Sequence, residues 1–176
     1  MGKVKATNLK EFLKSKTDED LRKEILELFS LFSEVQDYYS IKLDAGYESE
    51  LLEKYKKIVK NEFYPERGEP KLRYSILKKA ISDFERVSKE PKNLAELMIS
   101  YVELGVEFTN DYGDIDERFY NNIENMYQKA LHYIFENNLE DLFQNRCKQI
   151  AENCDGIGWG FGDFMVELYY ENFEED

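Results

Sequence analysis

Four glycines at alternate positions, Gly156, Gly158, Gly160 and Gly162, surround the only tryptophan, Trp159, in CDGIGWGFGDF (154–164). Glycine-rich loops can cradle phosphates on backbone N–H groups at the start of a helix. This stretch fails the dinucleotide fingerprint G-x-G-x-x-G, because Phe161 stands where the third glycine belongs. It also follows a helical pattern instead of a strand. The reading is a tight corner in which Gly156 caps the preceding helix and Trp159 and Phe161 pin the turn to the core. A second candidate, EFTNDYGDIDERF (107–119), gathers Asn110, Asp111, Asp114, Asp116 and Glu117. Hard cations want such closely spaced oxygen ligands. An EF-hand, however, places its glycine sixth after an acidic first ligand, and the residue five before Gly113 is Phe108. Capping is the simpler account: Gly113 turns the chain, Asp114 caps the next helix, and Glu117 takes the capping-box position. Asp116 and Glu117 also suit the positive end of that helix.

Acid–base and nucleophilic chemistry meet similar objections. Glu103 and Glu107 form an i, i+4 carboxylate pair, but at helical spacing they face away from Leu94, Tyr101 and Phe108, as solvated charges do. The single His132 has Lys129 three residues before it, not the glutamate of a di-iron helix, and shares a side with Asn121, Asn125 and Gln128. Cys147 and Cys154 continue apolar stripes and read as small hydrophobes. No metal and no cofactor is expected. Glu62 is harder to dismiss, because it falls on the stripe of Leu51, Tyr55 and Ile58, and a buried carboxylate needs a partner. One reading is an ion pair with Arg67 or Arg73 that clamps the PERGEP turn (65–70). The other is a pocket carboxylate with a raised pKa.

The elements that must position these residues are all helical. Apolar spacing marks helices near 7–15, 17–39, 50–64, 72–88, 94–110, 115–137, 139–153 and 161–173, with no sustained alternation of the strand kind. Thr7 suits the first N-cap, and TDED (17–20) is a capping box. DAGYES (44–49), PERGEP, KEPKN (89–93), DYGD (111–114) and ENN (136–138) separate the rest. Gly105 stands on an apolar helix face, where a close neighbouring helix would explain it. The expected architecture is all-α, one domain over residues 1–176. Its roughly eight helices form antiparallel pairs, as a compact bundle or a short solenoid-like stack of helical hairpins.

The 176 residues are 42% hydrophobic and 15% aromatic, enough for a substantial core. The net charge of −13 is uneven: residues 1–89 hold 19 Lys+Arg against 17 Asp+Glu, whereas residues 90–176 hold 5 against 20. The acidic half would repel phosphate backbones and anionic lipid, which makes nucleic acid an unfavourable partner. The basic residues between Lys54 and Lys79 give only a mild positive balance. No run approaches the roughly 18 apolar residues of a membrane span, and no secretory leader is read at the start. With two cysteines and no disulfide framework, the expected location is the cytoplasm.

EFYPERG (62–68), LKKAISDF (77–84), VEFTNDYGDIDERFYNN (106–122) and GIGWGF (156–161) together resemble a family of bacterial proteins grouped only as a domain of unknown function. The resemblance implies an all-helical bacterial cytoplasmic protein and no particular reaction. Its polar or amphipathic positions are Glu62, Arg67, Asn110, Tyr112, Asp114, Asp116 and Trp159, which are the candidate site residues. Gly162 stands where relatives are expected to carry a larger polar residue. The leading functional reading is a helical module that binds a protein or peptide, since Tyr and Phe suit interfaces. The alternative is a small-molecule-binding protein or enzyme whose pocket forms where the 65–70, 110–116 and 155–162 turns converge. Oligomeric state is open.

Overall fold

The computed structural model describes residues 4–44 and 46–173, so Ala45 of the expected 44–49 turn lies outside the described residues. Among the described residues there are nine helices and no strand, one helix more than the spacing predicts. The chain divides into two compact units, residues 1–45 and 46–176.

The first unit holds α1 (Ala6–Lys14), α2 (Asp18–Leu31) and α3 (Ser33–Leu43). The capping box at Thr17 is present: its hydroxyl accepts from the Asp20 N–H at 3.2 Å, and Asp20 accepts from the Thr17 N–H at 3.1 Å. Thr7 caps nothing, because α1 begins one residue earlier with Lys5 at the cap position and no side-chain cap. The extra helix arises where the expected 17–39 helix breaks at Phe32, whose backbone is extended at φ −125°, ψ 120°. Side chains there serve as alternative partners for the backbone. The Ser30 hydroxyl donates to the Glu27 carbonyl at 2.8 Å and the Gln36 amide to the Phe29 carbonyl at 2.9 Å, so carbonyls at the end of α2 have side-chain donors.

The second unit comprises α4 (Tyr47–Phe63), α5 (Tyr74–Val87), α6 (Pro91–Tyr112), α7 (Glu117–Glu136), α8 (Glu140–Asn153) and α9 (Phe161–Phe173). α6 starts before the expected Leu94, because Pro91 has a preset φ and no N–H to leave unpaired, which suits a first helical turn. Short turns pair α4 with α5, α6 with α7 and α8 with α9, and the three hairpins stack. The first helices lie side by side and parallel. Lys56 of α4 bonds Glu96 of α6 at 2.8 Å, and one end further on Tyr64 bonds Asp111. In the same sense, Arg146 of α8 meets Glu103 and Asn153 meets Asn110. The second helices form the other layer, joined by Lys129–Glu85 at 3.1 Å, by Arg118 over the Tyr74 ring, and by Phe135 against Phe173 at 5.0 Å. This is the stacked-hairpin form of the expected architecture.

The core lies between the layers. From Leu94 to Val102 every residue of α6 is buried except the half-buried Glu96. Phe63, Tyr101, Phe119, Tyr127 and Phe161 are all fully enclosed, each burial contributing roughly 2–3 kcal/mol. Phe63 touches Tyr101, Phe108 and Phe119 at ring separations of 5.7–6.5 Å, so it couples α4, α6 and α7. At the opposite end of α4, the buried Glu48 carboxylate fixes the connection from α5 to α6. It accepts from the Ser88 hydroxyl (2.7 Å), the Lys89 and Glu90 N–H groups, and the Asn93 amide.

Gly105 explains how closely α6 and α7 approach. A Cβ there would overlap Ile123 Cδ1 and stand 2.8 Å from Cγ1. Gly105→Ala gains up to about 1 kcal/mol of helix propensity but overpacks this crossing, so a net loss of about 1–2 kcal/mol is expected in urea unfolding. Trimming the obstructing methyl with Ile123→Val should recover part of the loss in the double variant. A strictly additive result would place the strain elsewhere.

Candidate functional site

The hairpin topology brings the turns that follow α4, α6 and α8 to one end of the second unit. Tyr64, at the start of the first turn, donates to Asp111 at 2.8 Å. The Asn110 amide donates to the Asn153 carbonyl at 3.0 Å, and Gly158 faces the Asp114 carboxylate. Tyr112 is exposed and stacks on Phe108 with ring centroids 4.5 Å apart. Asn110 and Asp114 therefore stand beside the end of α8 and the third turn, whereas Tyr112 lies against Tyr64 of the first.

Other candidate residues stand apart or do structural work. Glu62 is only 1% exposed and is occupied: its carboxylate accepts from the Arg73 N–H (2.9 Å) and from Arg73 Nε and Nη2 (3.0 and 2.6 Å). Its own carbonyl accepts from the N–H groups of Lys71 and Leu72, so one residue closes the PERGEP turn twice. Burial alone would raise its pKa, but the Arg73 hydrogen bonds outweigh it and hold the carboxyl below its usual range. Of the two readings the clamp is the one the geometry matches, with Arg73 and not Arg67 as partner; the raised pKa is overturned, although Glu62 with Tyr64 and Arg73 lines an open groove of about 730 Å³. Arg67 is exposed and forms no ion pair among the described residues.

The cap of α7 also moves. Asp116, not Asp114, accepts from the Phe119 N–H at 2.7 Å, and Glu117 is the first helical residue. Gly113 ends α6 at φ +80°, which leaves Asp114 free to accept from the Tyr120 hydroxyl at 3.1 Å. Thr109 bonds the same hydroxyl and the Gly113 carbonyl, knitting the corner together. In the third turn Phe161 is buried as expected, but Trp159 is 71% exposed and pins nothing. Its backbone is left-handed at φ +62°, a conformation that costs a non-glycine residue about 1–2 kcal/mol. α8 reaches its cap at Cys154, and Gly156 turns the chain two residues later. Gly162 carries no side chain for a steric reason: a Cβ would overlap the Cys154 carbonyl oxygen.

The side chains that build the most elaborate polar surface lie along α4, α6 and α8. Glu96, Ser100, Glu103 and Glu107 form the one polar line on α6. Arg146 reaches over it from α8. Its Nε and Nη2 donate to the two oxygens of Glu103 at 2.8 and 2.7 Å, and its Nη1 donates to Glu96. Lys56 bonds Glu96 from the α4 side. Glu96 is desolvated, yet its bonds to Lys56 and Arg146 hold its carboxyl below the usual range. Donating to Glu103 raises the pKa of Arg146 in turn. Two open grooves of about 390 and 400 Å³ flank this line, one against α8 (Arg146, Gln149, Asn153) and one against α4 (Lys56, Lys57, Lys60). Glu103 and Glu107 border both. The expectation of two simply solvated glutamates holds for Glu107 and fails for Glu103. Arg146 and Glu96 escaped the sequence reading, which weighed Lys56 only within the mildly basic 54–79 stretch, although the i, i+4, i+7, i+11 polar line on an apolar helix was the signal.

The residues that would carry acid–base or nucleophilic work are otherwise engaged. Cys147 and Cys154 are buried, and burial pushes both thiols up to about 12. His132 is exposed on α7 beside Glu136 at 3.1 Å. No group of three or more His, Cys, Asp and Glu residues among the described residues could hold a metal ion. No described helix is long and apolar enough to cross a membrane.

Fold and grooves thus define an all-α stack of helical hairpins whose first helices share a polar, open face. Residues 4–174 match the family of unknown function DUF6155, and the chain belongs to that family. No curated protein and no solved structure matches it.

Glu48, Glu62 and Glu96 are all held below their ordinary range. Their contribution to stability is therefore complete above the unfolded-state carboxylate pKa, about 4.3, and is lost as pH falls through the lower folded-state values. Glu62→Gln should lower stability at pH 7 by about 1.5–3 kcal/mol and flatten the acid limb of the stability curve. Equal acid sensitivity in wild type and variant would remove Glu62 from this role.

Proposed function

We propose that the protein is an interaction module that binds a peptide or protein segment along the grooves bordered by α4, α6 and α8. The observation that carries this reading is the shared face itself. One helix from each hairpin contributes polar side chains to two open grooves that share the Glu103–Glu107 edge of α6, and Arg146 and Lys56 tie that edge to the neighbouring helices. Glu107, with Asp111 one turn on, offers carboxylates at the floor, and residues 90–176 carry 5 Lys+Arg against 20 Asp+Glu. A segment bearing Lys or Arg fits the α6–α8 groove, away from Lys57 and Lys60 on the α4 side, with exposed aromatic Tyr112 at the turn end as an apolar contact. Two buried, unpaired thiols suit a reducing compartment, so a bacterial cytoplasmic setting belongs to the same reading.

A second reading, a small-molecule site at the convergent turns, draws support from Trp159, an exposed aromatic held in a costly backbone conformation beside the Asp114 corner. As the chain's only tryptophan, it distinguishes the two by its own fluorescence. A ligand at the turns shifts its emission, whereas a peptide seated between α4 and α8 leaves it unchanged.

Selection from a random peptide display library tests the leading reading. Enriched sequences should carry Lys or Arg, and their binding should weaken with added salt. Glu107→Lys combined with Asp111→Lys should weaken it roughly tenfold or more, a loss of about 1.4 kcal/mol. No enrichment, or peptides that bind the charge-reversed variant equally well, would overturn it.

A further inference from the structure

The groove of about 730 Å³ between α4 and α5 is larger than either groove bordering α6, and its size is ordinary for a small-molecule site (roughly 300–1,000 Å³). It shares only Lys57 and Lys60 with the groove between α4 and α6. Half-buried Ile58, Ile76 and Tyr64 give it an apolar and aromatic lining. Arg73 is fixed within it. The buried Glu62 carboxylate takes Nε and Nη2 at 3.0 and 2.6 Å, while Nη1 has no acceptor among the described residues and the side chain stays 47% exposed. A guanidinium held in this way presents its remaining N–H groups with little further ordering to lose. Lys57 and Lys60, at i and i+3 on α4, are exposed and form no hydrogen bond or ion pair among the described residues. Lys71 stands close enough to act on Glu62. Glu66 is the one carboxylate of the lining that has no cationic partner.

Charge and surroundings say what fits there. Lys57, Lys60, Lys71 and Arg73 face Glu62 and Glu66, an excess of two positive charges at one groove. A phosphate monoester carries about −1.5 to −2 at pH 7 and balances that excess, whereas a lone carboxylate balances half of it. Residues 54–79 hold nine Lys+Arg against three Asp+Glu, but the rest of the second unit holds 7 against 25. A nucleic acid or an anionic bilayer would extend past the groove onto those carboxylates, so the acidic surroundings favour a ligand small enough to stay inside it. The apolar lining calls for more than the bare anion. We infer that the groove between α4 and α5 binds a small organic phosphate monoester with an apolar or aromatic body. Arg73, Lys57 and Lys60 hold the phosphate, and Ile58, Ile76 and the Tyr64 ring line the space for the body. This site is independent of the peptide reading, which concerns the other face of α6.

Titration of the full chain with phenyl phosphate, followed by amide and arginine Nε chemical shifts, tests this. The expected result is a Kd of about 1 mM or tighter. Shifts should appear at Ile58, Arg73 and Ile76 and not at Ser100 or Leu104, which line the groove between α4 and α6. Inorganic phosphate and phenol should each bind roughly tenfold more weakly or worse. Lys57→Gln with Lys60→Gln changes two exposed side chains, so the melting temperature should hold while phenyl phosphate binding weakens roughly tenfold or more. No binding at about 10 mM, undiminished binding by the double variant, equally tight inorganic phosphate, or shifts confined to Ser100 and Leu104 would each overturn the inference. So would flotation with phosphatidic acid vesicles, or capture of single-stranded DNA, by a chain that does not bind phenyl phosphate.

Discussion

Almost everything in the second unit follows from one constraint: α6 is a 22-residue helix that is apolar over most of its circumference. Such a helix cannot rest on a surface and must be enclosed. α7 covers one side, close enough that position 105 tolerates no side chain, while α4 and α5 cover another and α8 a third. The only direction left is the line Glu96–Ser100–Glu103–Glu107, and desolvating four such groups without partners would cost more than the added packing returns. α4 and α8 therefore stand on either side of that line instead of closing over it. The grooves are the consequence of a helix with a single polar edge.

The carboxylates show how the same chain keeps its connections short. Glu48 and Glu62 sit at opposite ends of α4, each buried, and each spends its oxygens on backbone N–H groups of a neighbouring connection. Buried anions are stabilising only when fully satisfied, and these are, by donors that are themselves fixed. Loops tied in this way hold the hairpins in register, and parallel first helices then carry all three turns to the same end.

Helix positions were legible because 3.6-residue periodicity and capping chemistry are local. The Thr17 box, the apolar face of Gly105 and the buried stripe through Cys147 could all be read from spacing. Tertiary partnerships could not. Nothing in the spacing distinguishes Arg73 from Arg67 as the partner of Glu62, since both lie within reach of the turn and only the folded path chooses. Trp159 misled for a related reason. Tryptophan beside glycines suggests an anchor, but Phe161 alone fills the core there, while Trp159, left-handed at φ +62°, stands 71% exposed. Arg146 was missed because its partners lie 43 and 50 residues away. The break at Phe32 was hidden by an apolar stripe that continues through it.

The polar edge of α6, flanked by α4 and α8, is the proposed seat of a partner segment. Amide chemical-shift mapping of the full chain with a selected Lys- or Arg-containing peptide tests it most directly. The predicted result is a contiguous set of shifts over Lys56–Lys60, Glu103–Asp111 and Arg146–Asn153, with α5, α7 and α9 unmoved. Shifts confined to the second helices, to the turn around Trp159, or to α1 and α2 would contradict it.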